Sequence, residues 1–192
     1  MDIKQQKINR LREKLMSTRR VVCTGNPNNP DTLASGIRAL FPDTTFVHLS
    51  NGWDFKDQSI NFQQRLKTLF STHNTFINAS YIGPGVQSYL LELCNQSVTF
   101  CDVFNIGSTH EYDGLGTIDY QQSKLDLRHN SLRLNSYRFQ THHIILGGIK
   151  LSGNPETHNW LDVSTICQII PWILNQKFKI PLITIDQAKM PW

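Results

Sequence analysis

No apolar run in the 192 residues approaches the ~18 needed to span a bilayer, and the first residues lack the apolar stretch of a secretory leader. No membrane partner is expected, and the cytoplasm is the expected compartment. Cysteine is scarce: Cys23, Cys94, Cys101 and Cys167 are scattered, with no Cys-x-x-Cys and no histidines at zinc spacing. That argues against a disulfide framework or a metal centre and for buried free thiols. Internal repeats, low-complexity tracts and linkers are missing too. The length suits one domain with a sizeable core and leaves no room for separate nucleotide and substrate domains.

Charge is sparse, at 18% of residues, and unevenly placed. Residues 1–20 carry seven Lys/Arg against Asp2 and Glu13, whereas the rest has twelve basic and thirteen acidic residues. The body is therefore close to neutral and has no basic stripe with interleaved aromatics, so nucleic acid is not an expected partner. Residues 3–16 place Ile8, Leu11 and Leu15 at helical spacing among polar neighbours. They predict an amphipathic helix over 1–18, ahead of a main domain over 19–192.

The rest alternates strand and helix signals. Buried strands are expected at 20–25, 44–49, 75–80, 98–106 and 139–146, and a terminal edge strand at 178–186 with Pro181 fitting the edge. Helical spacing recurs at 33–41, where Asp31-Thr32 is a start signal, and at 61–70, 86–94, 119 onward and 161–174. Such alternation predicts an α/β fold: a Rossmann-like, doubly wound parallel sheet in three α/β/α layers. His142 and His143 adjoin within a strand, so their side chains point to opposite faces.

The chemistry-bearing stretch runs from Val103 to Lys124. Ser108 follows the carboxyl end of a strand, where a parallel sheet places its chemistry. Tyr120 and Lys124 stand at i, i+4, which puts phenol and ammonium on one helix face. A neighbouring cation stabilises a phenolate and makes a tyrosine a usable acid/base near neutrality. The alternative is an ordinary helix-face aromatic beside a solvated lysine. His110, Glu111, Tyr112 and Asp113 form a polar loop over this region and are candidates for substrate contact.

Ser108 with the Tyr-x-x-x-Lys pair resembles the short-chain dehydrogenase/reductase family, and the resemblance extends over residues 19 to about 186. It implies hydride transfer between a nicotinamide cofactor and a carbonyl/alcohol pair, with Ser108, Tyr120 and Lys124 catalytic. It also implies a cofactor site. Thr24-Gly25 matches the start of the glycine-rich turn, with Asn26, Asn28 and Asn29 in place of later glycines and able to rebuild a phosphate nest. Ser50 and Asn51 would face the adenosine ribose. They carry no carboxylate, which favours NADP marginally over NAD. Asp54 and Phe55 resemble the pair that flanks adenine, although Asp54 also reads as a turn aspartate capping the next helix. The short interval before them predicts that the family's third strand is truncated or absent.

Asn78, Ala79 and Ser80 match the segment ending the family's fourth strand, and Ile106, Gly148 and Ile149 would line the nicotinamide side. Gln87 and Asn95 are the amides nearest the family's proton-relay asparagine, and neither fits its spacing. Residues 151–160 would form a small substrate cover. A small-molecule substrate and a homodimer or homotetramer follow from the resemblance. The rival readings are a non-catalytic nucleotide-binding or protein-interaction module, and an epimerase or dehydratase, which would need a larger C-terminal region.

Overall fold

The computed structural model describes residues 19–112, 116–149, 161–176 and 178–186. The expected helix over 1–18, Asp113 of the polar loop and the cover over 151–160 lie outside the described residues. In chain order the elements are β1 (Val21–Thr24), α1 (Leu33–Leu40), β2 (Thr45–Val47), a 3₁₀ turn (Leu49–Asn51), α2 (Ile60–Ser71) and β3 (Thr75–Asn78). There follow α3 (Val86–Ser97), β4 (Cys101–Ile106), a 3₁₀ turn (Thr109–Glu111), α4 (Ile118–Leu134), β5 (Phe139–Leu146), α5 (Val163–Leu174) and β6 (Leu182–Ile185).

All six strands are parallel, in the order β2-β1-β3-β4-β5-β6. The chain steps outward from β1 to β2, then crosses back over β1 to β3 and winds the other way. The reversal lies between β1 and β3, and ligands of such sheets bind outside the carboxyl ends at that point. Among the described residues nothing pairs beyond β2, so the absent third strand of the family pattern is an absent outer strand.

Both faces of the sheet are covered. On one side α2, α3 and α4 bury Phe62, Leu66, Phe70, Leu90, Leu91 and Leu127 against Val22, Phe76 and Val103. On the other, α1 and α5 bury Ile37, Ile166 and Ile170 against Cys23, Ile77, Phe104 and Ile144. Successive strand residues point to opposite faces, and β1, β3 and β4 are buried throughout, as unbroken apolar runs in a parallel sheet require. Each fully buried aromatic or branched side chain contributes roughly 1.5–3 kcal/mol. All four cysteines are free and buried among these layers.

The helix starts are set locally. Thr32 caps α1 by accepting from Ser35 N, and Ser35 Oγ accepts in return from Thr32 N. Ser59 caps α2 through Phe62 N and Thr117 caps α4 through Tyr120 N. Thus Asp54 is not the cap of α2: its Oδ1 accepts from Lys56 N in a turn several residues earlier. The strand expected from residue 98 begins at Cys101, because Val98 N still bonds Cys94 O and ends α3, while Thr99 and Phe100 are exposed. The strand expected over 44–49 shortens to Thr45–Val47, since Leu49 to Asn51 turn sharply under an Asn51 side chain that accepts from His48 N.

Candidate active site

The end of β4 leads into Ser108, and the first two turns of α4 carry Tyr120 and Lys124, whose Nζ reaches the β4 exit at Ile106 O. Thr117 fixes where α4 begins, so Tyr120 and Lys124 share the face turned toward the sheet. Lys124 is 2% exposed. Its Nζ donates to Gln87 Oε1 at 2.7 Å and to Ile106 O at 2.8 Å. The ammonium lies 5.5 Å from the Tyr120 ring centroid and 5.8 Å from that of Tyr81. Tyr81 meets Tyr120 edge to face at 4.8 Å, and the His110 ring meets it edge to face at 6.0 Å. Burial brings the Lys124 pKa down from 10.5 to about 8, and the charge of Glu111 opposes that fall. The lysine is therefore a buried, partnered cation and not a solvated one.

Ser108 ends the β4 exit and caps the 3₁₀ turn after it. Its Oγ accepts from His110 N at 3.3 Å, and Glu111 Oε1 reaches back to accept from Ser108 N at 3.1 Å. That reciprocal bonding defines the serine's position. Glu111, read from the sequence as a loop residue for substrate contact, is buried instead. It bonds His143 Nε2 at 2.8 Å and lies 3.4 Å from Arg128 Nη1. Tyr112 is exposed.

The cofactor candidates lie at the exits of β1 to β5 or on α4, those after β1 and β3 at the topological switch, with two exceptions. Thr24 Oγ1 accepts from both Ala79 N (2.8 Å) and Ser80 N (3.0 Å), and Ser80 Oγ donates to Thr24 O, which ties the β1 exit to the β3 exit. Gly25 has φ +127°, and a Cβ there would meet Ser80 Oγ at 2.6 Å and Ala34 Cβ at 3.0 Å. Only glycine lets the start of α1 close on this junction. Asn26 and Asn28 are engaged within the turn: Asn26 Oδ1 accepts from Asn28 N, and Asn28 Oδ1 accepts from Arg38. Pro27 is buried. Ser50 and Asn51 sit in the 3₁₀ turn after β2, Ser50 exposed and Asn51 donating to Phe46 O. Gly148 O accepts from Leu161 N, and Ile149 bridges Leu161 beyond the end of β5.

The exceptions are Asp54 and Phe55. Asp54 is used in its own turn, and Phe55 is buried edge-on to Phe62 in the core.

Asn78 is fully buried. Its Nδ2 donates to Gln87 O (2.9 Å) and Asn105 Oδ1 (3.0 Å), and Gln87 Nε2 donates to Asn78 O (2.9 Å). Asn78 Oδ1 has no hydrogen-bond partner among the described residues. The carboxyl ends of β1 and β3, tied together beside the start of α1, are where a dinucleotide lies in sheets wound this way. The first amides of α1 have no intrahelical acceptor, as in any helix, and favour an anion there.

Three residues take roles that the sequence did not assign them. Gln87 holds Lys124, yet lies on a different helix and has no local signal. His143 meets Glu111 across the β4/β5 boundary, and only strand parity places it on that face. Glu111 had a readable signal, the Ser-x-x-Glu spacing of a capping box.

No family model matches the sequence, and no curated protein matches it. Solved structures do. A short-chain dehydrogenase/reductase from Vibrio parahaemolyticus aligns with TM-score 0.62 at 13% identity, over 88% of this chain and 99% of that one. The 3-alpha-hydroxysteroid dehydrogenase from Pseudomonas sp. B-0831, complexed with NADH, aligns with TM-score 0.61 at 10% identity, over 86% and 94%. A short-chain dehydrogenase from Sphingobium yanoikuyae in complex with NADPH gives TM-score 0.60 at 9% identity, over 85% and 87%. The chain has the fold of the short-chain dehydrogenase/reductases.

Proposed function

We propose that the chain is a nicotinamide-dependent oxidoreductase acting on a carbonyl/alcohol pair, with Tyr120 as acid/base, Lys124 as the cation that stabilises its phenolate, and Ser108 orienting the substrate oxygen. The observation that carries it is the buried Lys124 ammonium, held by Gln87 Oε1 and Ile106 O, 5.5 Å from the Tyr120 ring centroid. Burying a charge without use is costly. Here the charge lies over the Tyr120 ring.

The nicotinamide cofactor, when bound, supplies or accepts the hydride. Thr24, Gly25 and Asn26 with the start of α1 would hold its diphosphate, and Ser50 and Asn51 would face the adenosine ribose. Ala79 and Ser80 would line its path above buried Asn78 and Ile106, the remaining N–H of Lys124 would serve the second ribose, and Gly148 and Ile149 would border the nicotinamide. NADP is favoured over NAD because the turn after β2 offers no carboxylate. Bound NADH and bound NADPH in the similar structures support a cofactor of this class. The substrate is a small molecule. A cytoplasmic location and a homodimer or homotetramer belong to the same reading.

Tyr120→Phe tests it. The variant is expected to bind NADPH as the parent does and to lose about 10²–10⁴-fold in reduction of a carbonyl panel, the usual worth of a general acid. Unchanged turnover would refute the role. A second reading, a non-catalytic nucleotide-binding or protein-interaction module, is favoured by the Asn26–Asn28 bonding and the buried Pro27, which tie the turn to itself. Fluorescence titration with the carbonyl assay separates them: no binding of NADPH or NADH at millimolar concentration would select the protein-interaction module, and binding without turnover the nucleotide-binding one.

A further inference from the structure

The β4 exit, Ile106-Gly107-Ser108, is gripped from both sides. Lys124 Nζ holds Ile106 O at 2.8 Å, and Glu111 Oε1 holds Ser108 N at 3.1 Å. Gly107 lies between them with no room for a side chain, since a Cβ there would collide with Glu111 Oε1 and His143 Nε2. Glu111 and His143 side chains are both 0% exposed, so this carboxylate cannot touch a substrate. An ionisable pair buried so completely needs partners. Those in contact with Glu111 are His143 from β5 and, from α4, Arg128 at 3.4 Å, while Lys124 of the same helix holds Ile106 O on the other side of Gly107. Those facing Lys124, apart from the charge of Glu111, are Tyr120 on its own helix, edge to face with His110, and Tyr81 after β3.

We propose that Glu111, braced by His143, is a positioning residue: one buried carboxylate that clasps the Ser108 turn and serves as counter-charge to Lys124. Serine position and lysine charge are then set by the same group. The charge of Glu111 acts to raise the Lys124 pKa against a larger effect of burial, the direction expected of a counter-ion in a poorly solvated site. The inference rests on the oxidoreductase reading for what Ser108 and Lys124 do, and not for the electrostatics that link them.

The test uses the full chain labelled with ¹³C at lysine Cε and glutamate Cδ, followed by NMR across pH, with Lys124→Met and Glu111→Gln assigning the signals. Glu111→Gln keeps the acceptor for Ser108 N and removes the charge. The Lys124 midpoint is expected to fall by about one pH unit or more in that variant; an identical midpoint in folded Glu111→Gln overturns the counter-charge. Should the variant not fold, the parent still decides. With ¹⁵N added to the label, its Ser108 amide is expected to show a coupling to Glu111 Cδ through the hydrogen bond. Absence of that coupling overturns the proposal. No nucleotide or substrate enters these measurements, so failure of the oxidoreductase reading would show separately, in the cofactor titration and the Tyr120→Phe assay.

Discussion

At the scale of single residues, Lys124 has a consequence for stability. Its pKa stands near 8 in the folded chain against 10.5 ordinarily, so between those values the unfolded state binds a proton that the folded state lacks. Stability from this residue therefore rises with pH across roughly 8–10.5, by on the order of 3 kcal/mol in full, and the burial penalty is undiminished below that window. Urea unfolding at pH 8 and pH 10 is expected to show the parent gaining on Lys124→Met; parallel pH dependence would mean that the lysine is solvated. The Tyr120 and Lys124 pairing was legible because i, i+4 on a helix is local geometry. Gln87 and His143 were not legible, because each reaches its partner across elements 32 or more residues away in sequence.

At the scale of elements, α1 and α5 pack closely together on the sheet face opposite α4. Gly36 in α1 is where they meet: a Cβ there would lie 2.7 Å from Cys167 Sγ and 2.8 Å from Val163 Cγ1. Alanine is the better helix former by about 1 kcal/mol, but overpacking a tight contact costs about 1–3 kcal/mol. Both neighbours have short side chains, and Cys167 is already directed to Leu33 O, so they cannot swing aside cheaply. Gly36→Ala should lower the urea midpoint, and a raised midpoint would show that α5 yields. Helix and strand order were readable from periodicity, but their ends were set by contacts that periodicity does not carry. Val98 ends α3 through Cys94 O, and Asn51 cuts β2 short through His48 N. The helix that bears the site was the least amphipathic to read, since its buried face is Ser123, Lys124, Leu127 and Ser131 and not a leucine stripe.

At the scale of the whole molecule, the winding reversal between β1 and β3 brings the carboxyl ends of β1, β3 and β4 to one edge of the sheet, with the turn after β2 on one flank and the end of β5 on the other. A dinucleotide bound there would touch both halves of the sheet, so its binding energy would oppose unfolding of the entire chain. At a hundred times its dissociation constant a ligand adds about 2.7 kcal/mol, or roughly 5–10 °C in Tm for a domain of this size. The turn after β2 decides which cofactor does so more strongly. Ser50 is exposed, and the Asn51 side chain is committed to Phe46 O and His48 N. The nearest following carboxylate, Asp54, is occupied by Lys56 N. With no carboxylate between Leu49 and Asn51 to hold the ribose hydroxyls, a 2′-phosphate meets no repulsion, and NADPH is expected to raise Tm more than NADH at equal concentration. The larger shift with NADH would reverse the cofactor assignment, and no shift with either would leave the self-bonded turn after Gly25 as a closed one.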